Sequence, residues 1–519
     1  MKKSFFYSTL ILITLLVFSR CTNNNIATPA QTYSVSIEVM PNKNAPSLQS
    51  FAHGVSNNKW LLFAGRTNSK DSLNGGLHDL NGNYSNTSFT PPSFNERIYV
   101  YDVATDAKPI SISINELVKR VKTKCSTFSE GIPYQLTPCY KLNEALKNNL
   151  SVFKNSNALV KQVGEYLYVI GGYGAINFAT PKNGYTTYNQ IAKINVRLLI
   201  QLVEGEKELI EAEWIDLMSF GKNENLISTG GELQYINGKV YLVGGHNFGN
   251  SAPKVSQGQK YVDAVYPFSL SVNKGNGSLL DVSISAAITD VSNPRIPAAD
   301  NISIFRRRDG PILPSLYKSP ISGKIASGIA IYAGVFKPGD DSNLQAWNDA
   351  IYIHPQWANK ESKLFTYDKS YNQNNYNVYA APSFVAYDSS SEVSHSYLLG
   401  GIGDGKFGFT NTGTHITTNI SNYPITSKNE IFSQNLFSNN TTNIPPFYGA
   451  EAILFPNQNI NYTTYSDEII DLNTSFKDTN TIEIGYIFGG IEAFKSNPGT
   501  YGKRNSRASN LIWKVTLKK

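Results

Sequence analysis

Tyr166-Leu167-Tyr168-Val169-Ile170-Gly171-Gly172 is an apolar run closed by two glycines, and the chain writes it again and again. Related stretches are Trp60 to Gly65 (WLLFAG), Val240 to Gly245 (VYLVGG), Ile329 to Gly334 (IAIYAG), Ser396 to Gly401 (SYLLGG) and Gly485 to Gly490 (GYIFGG). Four or five consecutive residues rich in Val, Ile, Leu, Tyr and Phe are too short for a helix and read as a strand buried on both faces. The glycines remove side chains where backbones must come close, and they permit positive φ at the strand exit. Recurrence of this kind is an internal repeat, and it decides the fold before any other feature does.

A second string follows each glycine pair at a variable distance: a polar residue, then an apolar one, then usually an aromatic. It stands at Glu96 to Asp102 (ERIYVYD), Asp263 to Tyr266, Asp349 to Tyr352, Asn429 to Phe432 and Asn510 to Trp513, with Gln190 to Ile194 as its weakest copy. The pair of strings resembles the kelch repeat, over roughly residues 50 to 519. Ala64-Gly65 and Ala333-Gly334 depart from the double glycine of that family. The resemblance implies four-stranded blades set in a ring. The expected fold is therefore all-β, a six-bladed kelch-type propeller.

Inner strands are predicted at 50–55, 231–236, 301–305, 383–387 and 450–455, and outer strands at 110–114, 213–217, 280–285 and 364–367. The last repeat ends on its third strand. Tyr33 to Val39 (YSVSIEV) alternates like a strand and has no blade of its own. This N-terminal strand is expected to complete the sixth blade and close the ring.

Lys2 and Lys3 lead into an apolar run from Phe5 to Phe18, the pattern of an export signal and shorter than a membrane span of about 20 residues. Cys21 directly after it resembles the lipid acceptor of bacterial lipoproteins, although Phe18 and Arg20 depart from that pattern; otherwise the protein is simply secreted and Cys21 is spare. Residues 1–21 thus read as a signal, 22–32 as an Asn-rich tether and 33–519 as one propeller domain. The expected location is the outer membrane, through a lipid on Cys21, or the periplasm or cell surface. Losing residues 1–21 takes away three basic side chains and no acid, lowering the formal charge from +7 to +4. The chain has no basic stripe beyond Arg306-Arg307-Arg308, read as a solvated strand end, which argues against nucleic acid as a partner. Contact with a membrane is expected only through the anchor, and the protein is expected to act as a monomer.

Successive glycine pairs lie about 70 to 110 residues apart, more than the roughly 50 of a bare unit, so the surplus forms loops. The long stretches, 66–94, 106–160, 173–188, 246–260, 402–428 and 491–507, follow second or fourth strands and so emerge on one face. Residues 106–160 carry two helix-like segments, 115–122 and 140–150, and are expected to form a small cap holding Cys125 and Cys139. In an exported protein these two cysteines can pair.

Long loops on a rigid ring are where function concentrates. Arg66, Tyr173, His246, Asp404 and Glu492, each just after a glycine pair, are the candidate ligand-binding residues. Aromatic planes and charged groups of this kind suit hydroxylated ligands. The expected function is a binding module for a protein or glycan. The alternative, drawn from the resemblance, is a carbohydrate-active enzyme of the sialic acid mutarotase type, working by acid and base chemistry. A copper oxidase, another kelch relative, needs paired histidines, whereas His53, His78, His246, His354, His395 and His415 stand singly. No cofactor or metal is read from the sequence.

Overall fold

A computed structural model describes residues 33–41, 44–68, 93–125, 133, 135, 137–179, 184–205, 209–248, 260–273, 276–292, 294, 303–335, 337, 346–356, 363–372, 377, 379–403, 408–437, 447–496 and 506–519. The described chain forms six antiparallel sheets arranged as the blades of a propeller. From the innermost strand outward, blade 1 is Ala52–Ser56, Lys59–Phe63, Arg97–Asp102 and Ile110–Ser113, and blade 2 is Leu159–Val163, Tyr166–Ile170, Gln190–Asn195 and Met218–Lys222. Blade 3 is Thr229–Ile236, Lys239–Asn247, Tyr266–Val272 and Leu280–Ile284; blade 4 is Ile312–Lys318, Ile325–Tyr332, Ala350–Ile353 and Phe365–Asp368. Blade 5 is Ser383–Asp388, Val393–Ile402, Phe409–Asn419 and Ser427–Ser433. In blade 6 the order is Ile453–Pro456, Thr481–Phe488, Ile512–Lys518 and, outermost, Ser34–Val39. That last strand lies antiparallel to the C-terminal one, with Ser34 opposite Lys518 and Val39 opposite Trp513, so the two ends of the chain close the ring as expected.

The glycine pairs earn their place through geometry between blades. All six pairs have positive φ at both positions, including Ala64 (φ 55°) and Ala333 (φ 59°) where alanine stands first. A left-handed alanine costs about 1 kcal/mol, so these two blades keep the bend at some strain. The second glycine donates its N–H to the next blade at five of the six junctions: Gly65 to Asn155 O, Gly172 to Ser228 O, Gly245 to Arg307 O, Gly401 to Tyr448 O and Gly490 to Leu48 O, at 2.7 to 3.2 Å. A Cβ on Gly171 would lie 2.0 Å from the carbonyl oxygen of Ser228, in the neighbouring blade. The motif is therefore a clasp between blades as well as a strand end.

Three expectations about strands and one about helices need correction. The inner strand of blade 4 is Ile312–Lys318; Phe305, at the end of the predicted 301–305 strand, lies in a turn. Residues 213–217 belong to a helix, Glu211–Leu217, and the outer strand follows at Met218–Lys222. Asn429 to Phe432 lies in the fourth strand of blade 5 because Phe409–Asn419, inside a stretch read as loop, supplies the third. Nor do the helices in 106–160 form a cap. Ile114–Cys125 and Pro138–Asn148 join Val196–Glu204 and Glu211–Leu217 in a wedge whose Leu117, Val121, Leu142, Leu146, Leu199 and Trp214 share one core with blades 1 and 2. Helices carrying this much apolar surface are more stable sunk between sheets than raised above them. Cys139 is buried there and disulfide-bonded; the side chain of Cys125 lies outside the described residues. Among the described residues, no helix is long and apolar enough to cross a membrane.

The connection between the first two strands of blade 6 is a further departure. It forms a hairpin, Tyr462–Thr463 with Ser466–Asp471, whose second strand runs parallel to the inner strand of blade 5, pairing Val385 with Ile469 and Tyr387 with Asp471. Ile469 and Ile470 are buried, Ile469 in the core shared with Leu313 and Leu316 of blade 4. Lys161, on the inner strand of blade 2, forms an ion pair with Glu468 of the hairpin. Touching blades 2, 4 and 5 at once, the hairpin sits across the axis. It plugs the channel at the end away from the glycine pairs.

Candidate functional site

At the glycine-pair end each inner strand is led in, or in blade 3 begun, by a residue tied to its counterparts in the neighbouring blades. These residues are Ser50, Asn157, Gly230, Asp309, Ala380 and Glu451, and five of them have positive φ, between 47° and 67°. Their backbones join in a ring: Asn157 N–H to Ser50 O, Gly230 to Asn157, Asp309 to Gly230, Ala380 to Asp309 and Glu451 to Ala380, at 2.6 to 3.2 Å. Side chains span the sixth junction, where the Ser50 hydroxyl lies 2.9 Å from Glu451 Oε2. These turns bring Asp309, beside Asn157, and Glu451, beside Ser50, into one cluster.

Charge is crowded at this end of the channel, its throat. Asp309 takes a hydrogen bond from Asn157 Nδ2 (3.3 Å) and lies 3.1 Å from Arg308 Nε. Arg308 Nη1 is 3.0 Å from Nε2 of His246. Since the guanidinium can only donate, that ring nitrogen accepts and the proton sits on Nδ1. Burial, and then Arg308, hold the His246 pKa well below the usual imidazole range, so this histidine is neutral. Burial likewise drives His53, on the inner strand of blade 1, down to about 4.

The carboxyls move the other way. Burial first, and then Asp309, raise the Glu451 pKa, while hydrogen bonds from Tyr379 and Ser50 oppose the rise. The single proton of Ser50 Oγ faces two acceptors, Gln49 Oε1 and Glu451 Oε2. Asp309 is also raised, by burial.

Glu232, on the inner strand of blade 3, is pushed up to about 8, by burial first and then by Glu451, with Asp309 and Glu468 adding and Lys161 opposing. Glu232 shares a strand face with Gln234, whose Oε1 takes a hydrogen bond from Lys161 of blade 2 (3.3 Å), so its carboxyl lies on the channel side of blade 3. It has no hydrogen-bond or ion-pair partner among the described residues, yet it keeps some accessible surface while protein encloses it. Such a group faces a void in the channel.

The predicted site residues divide. His246 reaches the throat through Arg308. Tyr173 belongs to an aromatic arc on the glycine-pair face, in which Phe94 stacks on Tyr185 (6.2 Å), Tyr185 on Tyr173 (5.8 Å), and Tyr173 meets Phe248 (5.3 Å), itself edge-on to His246 (4.6 Å). Phe94, Tyr173 and Phe248 are half-buried and so keep open ring surface. Arg66 is buried, bridged by backbone to Gln49 and Phe94, and burial lowers its pKa to about 9. Glu492 is also buried, 2.7 Å from Arg507 on the paired strand. Asp404 and Cys21 lie outside the described residues.

The arginine triplet is no solvated strand end. Arg307 is fully buried against Asp349 and Trp347, Arg306 covers Tyr261, and Arg308 serves the throat. Histidines that stand singly in sequence do meet in blade 5, where His395 Nδ1 is 3.0 Å from His415 Nε2, and His415 Nδ1 is 3.0 Å from Glu430. These rings spend their nitrogens on hydrogen bonds, and among the described residues no group of three His, Cys, Asp or Glu side chains is placed to hold a metal.

No model of a known protein family matches the chain, and no curated protein matches it at a significant level.

Proposed function

We propose that this propeller is an exported kelch-type module of the cell envelope that binds a protein or glycan through its loop-rich face. On this reading residues 1–21 direct export and Cys21 carries a lipid anchor. The aromatic arc of Phe94, Tyr185, Tyr173 and Phe248 carries the argument. Half-open rings of Phe94, Tyr173 and Phe248, backed by the buried Tyr185, offer apolar contact across three blades at little entropic cost, as binding surfaces do. A glycan array and a pull-down from envelope extract, both probed with the purified protein, test it. A ligand whose affinity falls at least about tenfold in Tyr173→Ala and in Phe248→Ala supports the arc as the binding surface. A ligand indifferent to both changes ends this reading.

The second reading, an enzyme of the sialic acid mutarotase type, draws on Glu232 and Glu451. Their raised pKa values suit proton exchange near neutrality. Against it stands the engagement of Lys161 with Glu468 and of Arg308 with Asp309, which leaves neither cation free to pair with the carboxylate of such a sugar. Anomer exchange of sialic acid followed by NMR separates the two readings, since a rate unchanged by added protein removes the enzyme.

A further inference from the structure

Among the described residues the channel, from throat to plug, holds four carboxyls, Glu232, Asp309, Glu451 and Glu468, against two fixed cations, Lys161 and Arg308. Both cations are already engaged, Lys161 with Glu468 and Arg308 with Asp309. His53 and His246 stay neutral and add no charge. Glu232 is left facing the void with no partner among the described residues, in a ring whose opposite end the hairpin plug closes. A buried carboxyl without a partner is costly. Two things relieve it, a proton or a cation.

We propose that the throat is a binding site for a small hydrophilic molecule bearing a protonated amine, entering from the glycine-pair face, with its ammonium on Glu232 and Glu451 and its hydroxyls or amides on Ser50 and Asn157. An ammonium supplies the positive charge that the protein withholds, and it donates three hydrogen bonds to oxygens that otherwise crowd one another. An anion meets only cations already engaged with carboxylates, and a neutral molecule of equal size gains only the hydrogen bonds. The proposal does not depend on the loop face binding a larger ligand, because the throat lies below the aromatic arc and uses other residues.

Proton balance gives the site a signature. Near neutrality Glu232 holds its proton in the free protein. Binding of an ammonium ionises the carboxyl and releases that proton to solvent, so calorimetric heats must vary with the ionisation enthalpy of the buffer.

Ethanolamine, ethylene glycol and glycolate form a matched set of cation, neutral molecule and anion, each small enough for a narrow void. Thermal shift and titration calorimetry on the whole protein at constant ionic strength are expected to show ethanolamine binding at least about tenfold tighter than the other two. Proton release is expected near pH 7, and a loss of at least about tenfold in affinity in Glu232→Gln. That exchange is isosteric and removes a strained charge, so the variant is expected to fold; Glu451→Gln provides a second, independent test of the same carboxyl cluster. Equal binding of the three probes, no binding of ethanolamine, or ethanolamine affinity unchanged in both variants would each overturn the proposal.

Discussion

The two ends of the channel use the same materials to opposite effect. At the plug end, charge is matched and apolar surface is covered: Lys161 faces Glu468, and Ile469 and Ile470 of the hairpin are buried against the blades. At the glycine-pair end, Glu232, Asp309 and Glu451 crowd together, all three pKa values raised by burial and those of Glu232 and Glu451 by neighbouring carboxyls as well. Stability is concentrated at one end, and tension at the other. Natural proteins keep such unrelieved polar groups where a site is held ready, which is the physical ground for looking for a ligand in the throat.

The comparison breaks first at the plug. Ile469→Ala removes a fully buried side chain from a packed core and is expected to cost about 3 kcal/mol, read as a lower urea midpoint. A cost near zero would mean that the hairpin is not part of the stable ring.

Glu232→Gln sharpens the comparison from the other end. The folded-state pKa of Glu232 lies at about 8, above its ordinary value of 4.5. The folded protein therefore binds more protons than the unfolded chain across that window, and this carboxyl makes stability fall as pH rises through it. The variant is expected to melt a few degrees above the parent at about pH 8.5 and level with it at about pH 4. A variant that melts below the parent at the higher pH would show that the carboxylate has a partner.

The smallest effect is expected at the seam. Ser50→Ala removes one hydroxyl between Gln49 and Glu451, with an expected loss of about 1 kcal/mol by denaturant melting. The loss should be larger where Glu451 is ionised, since the Ser50 hydroxyl favours the carboxylate.

The ring was legible in the sequence because each blade repeats its own local chemistry. Apolar strands, glycine pairs and the unpaired alternation of YSVSIEV together gave blade count and closure. Strand placement failed where local signals conflicted. Pro311 and Pro314 disguise the inner strand of blade 4, yet that strand is the free edge of its sheet, where a missing N–H is tolerated. Thr410 to Thr418 is polar and reads as loop, but it alternates toward both faces of blade 5 and becomes its third strand. The throat was hardest to see. Glu232, Asp309 and Glu451 sit in different repeats, and only ring closure brings them together. A usable signal was present all the same: the position leading into each inner strand, or in blade 3 beginning it, compared across repeats, holds Ser50, Asn157, Gly230, Asp309, Ala380 and Glu451.

The backbone ring formed by those six positions behaves as a hoop. Five links are peptide hydrogen bonds. At the sixth, between blades 6 and 1, the covalent chain itself passes from the outermost strand of blade 6 into blade 1, and Leu48 is tied there to Gly490 and Ser509. Widening the throat at any one link strains the other five, so the bore opens as a whole or stays shut. The amide hydrogens of Asn157, Gly230, Asp309, Ala380 and Glu451 should then exchange with solvent together, at a single slow rate, as the staves of a cask loosen only when the hoop slips.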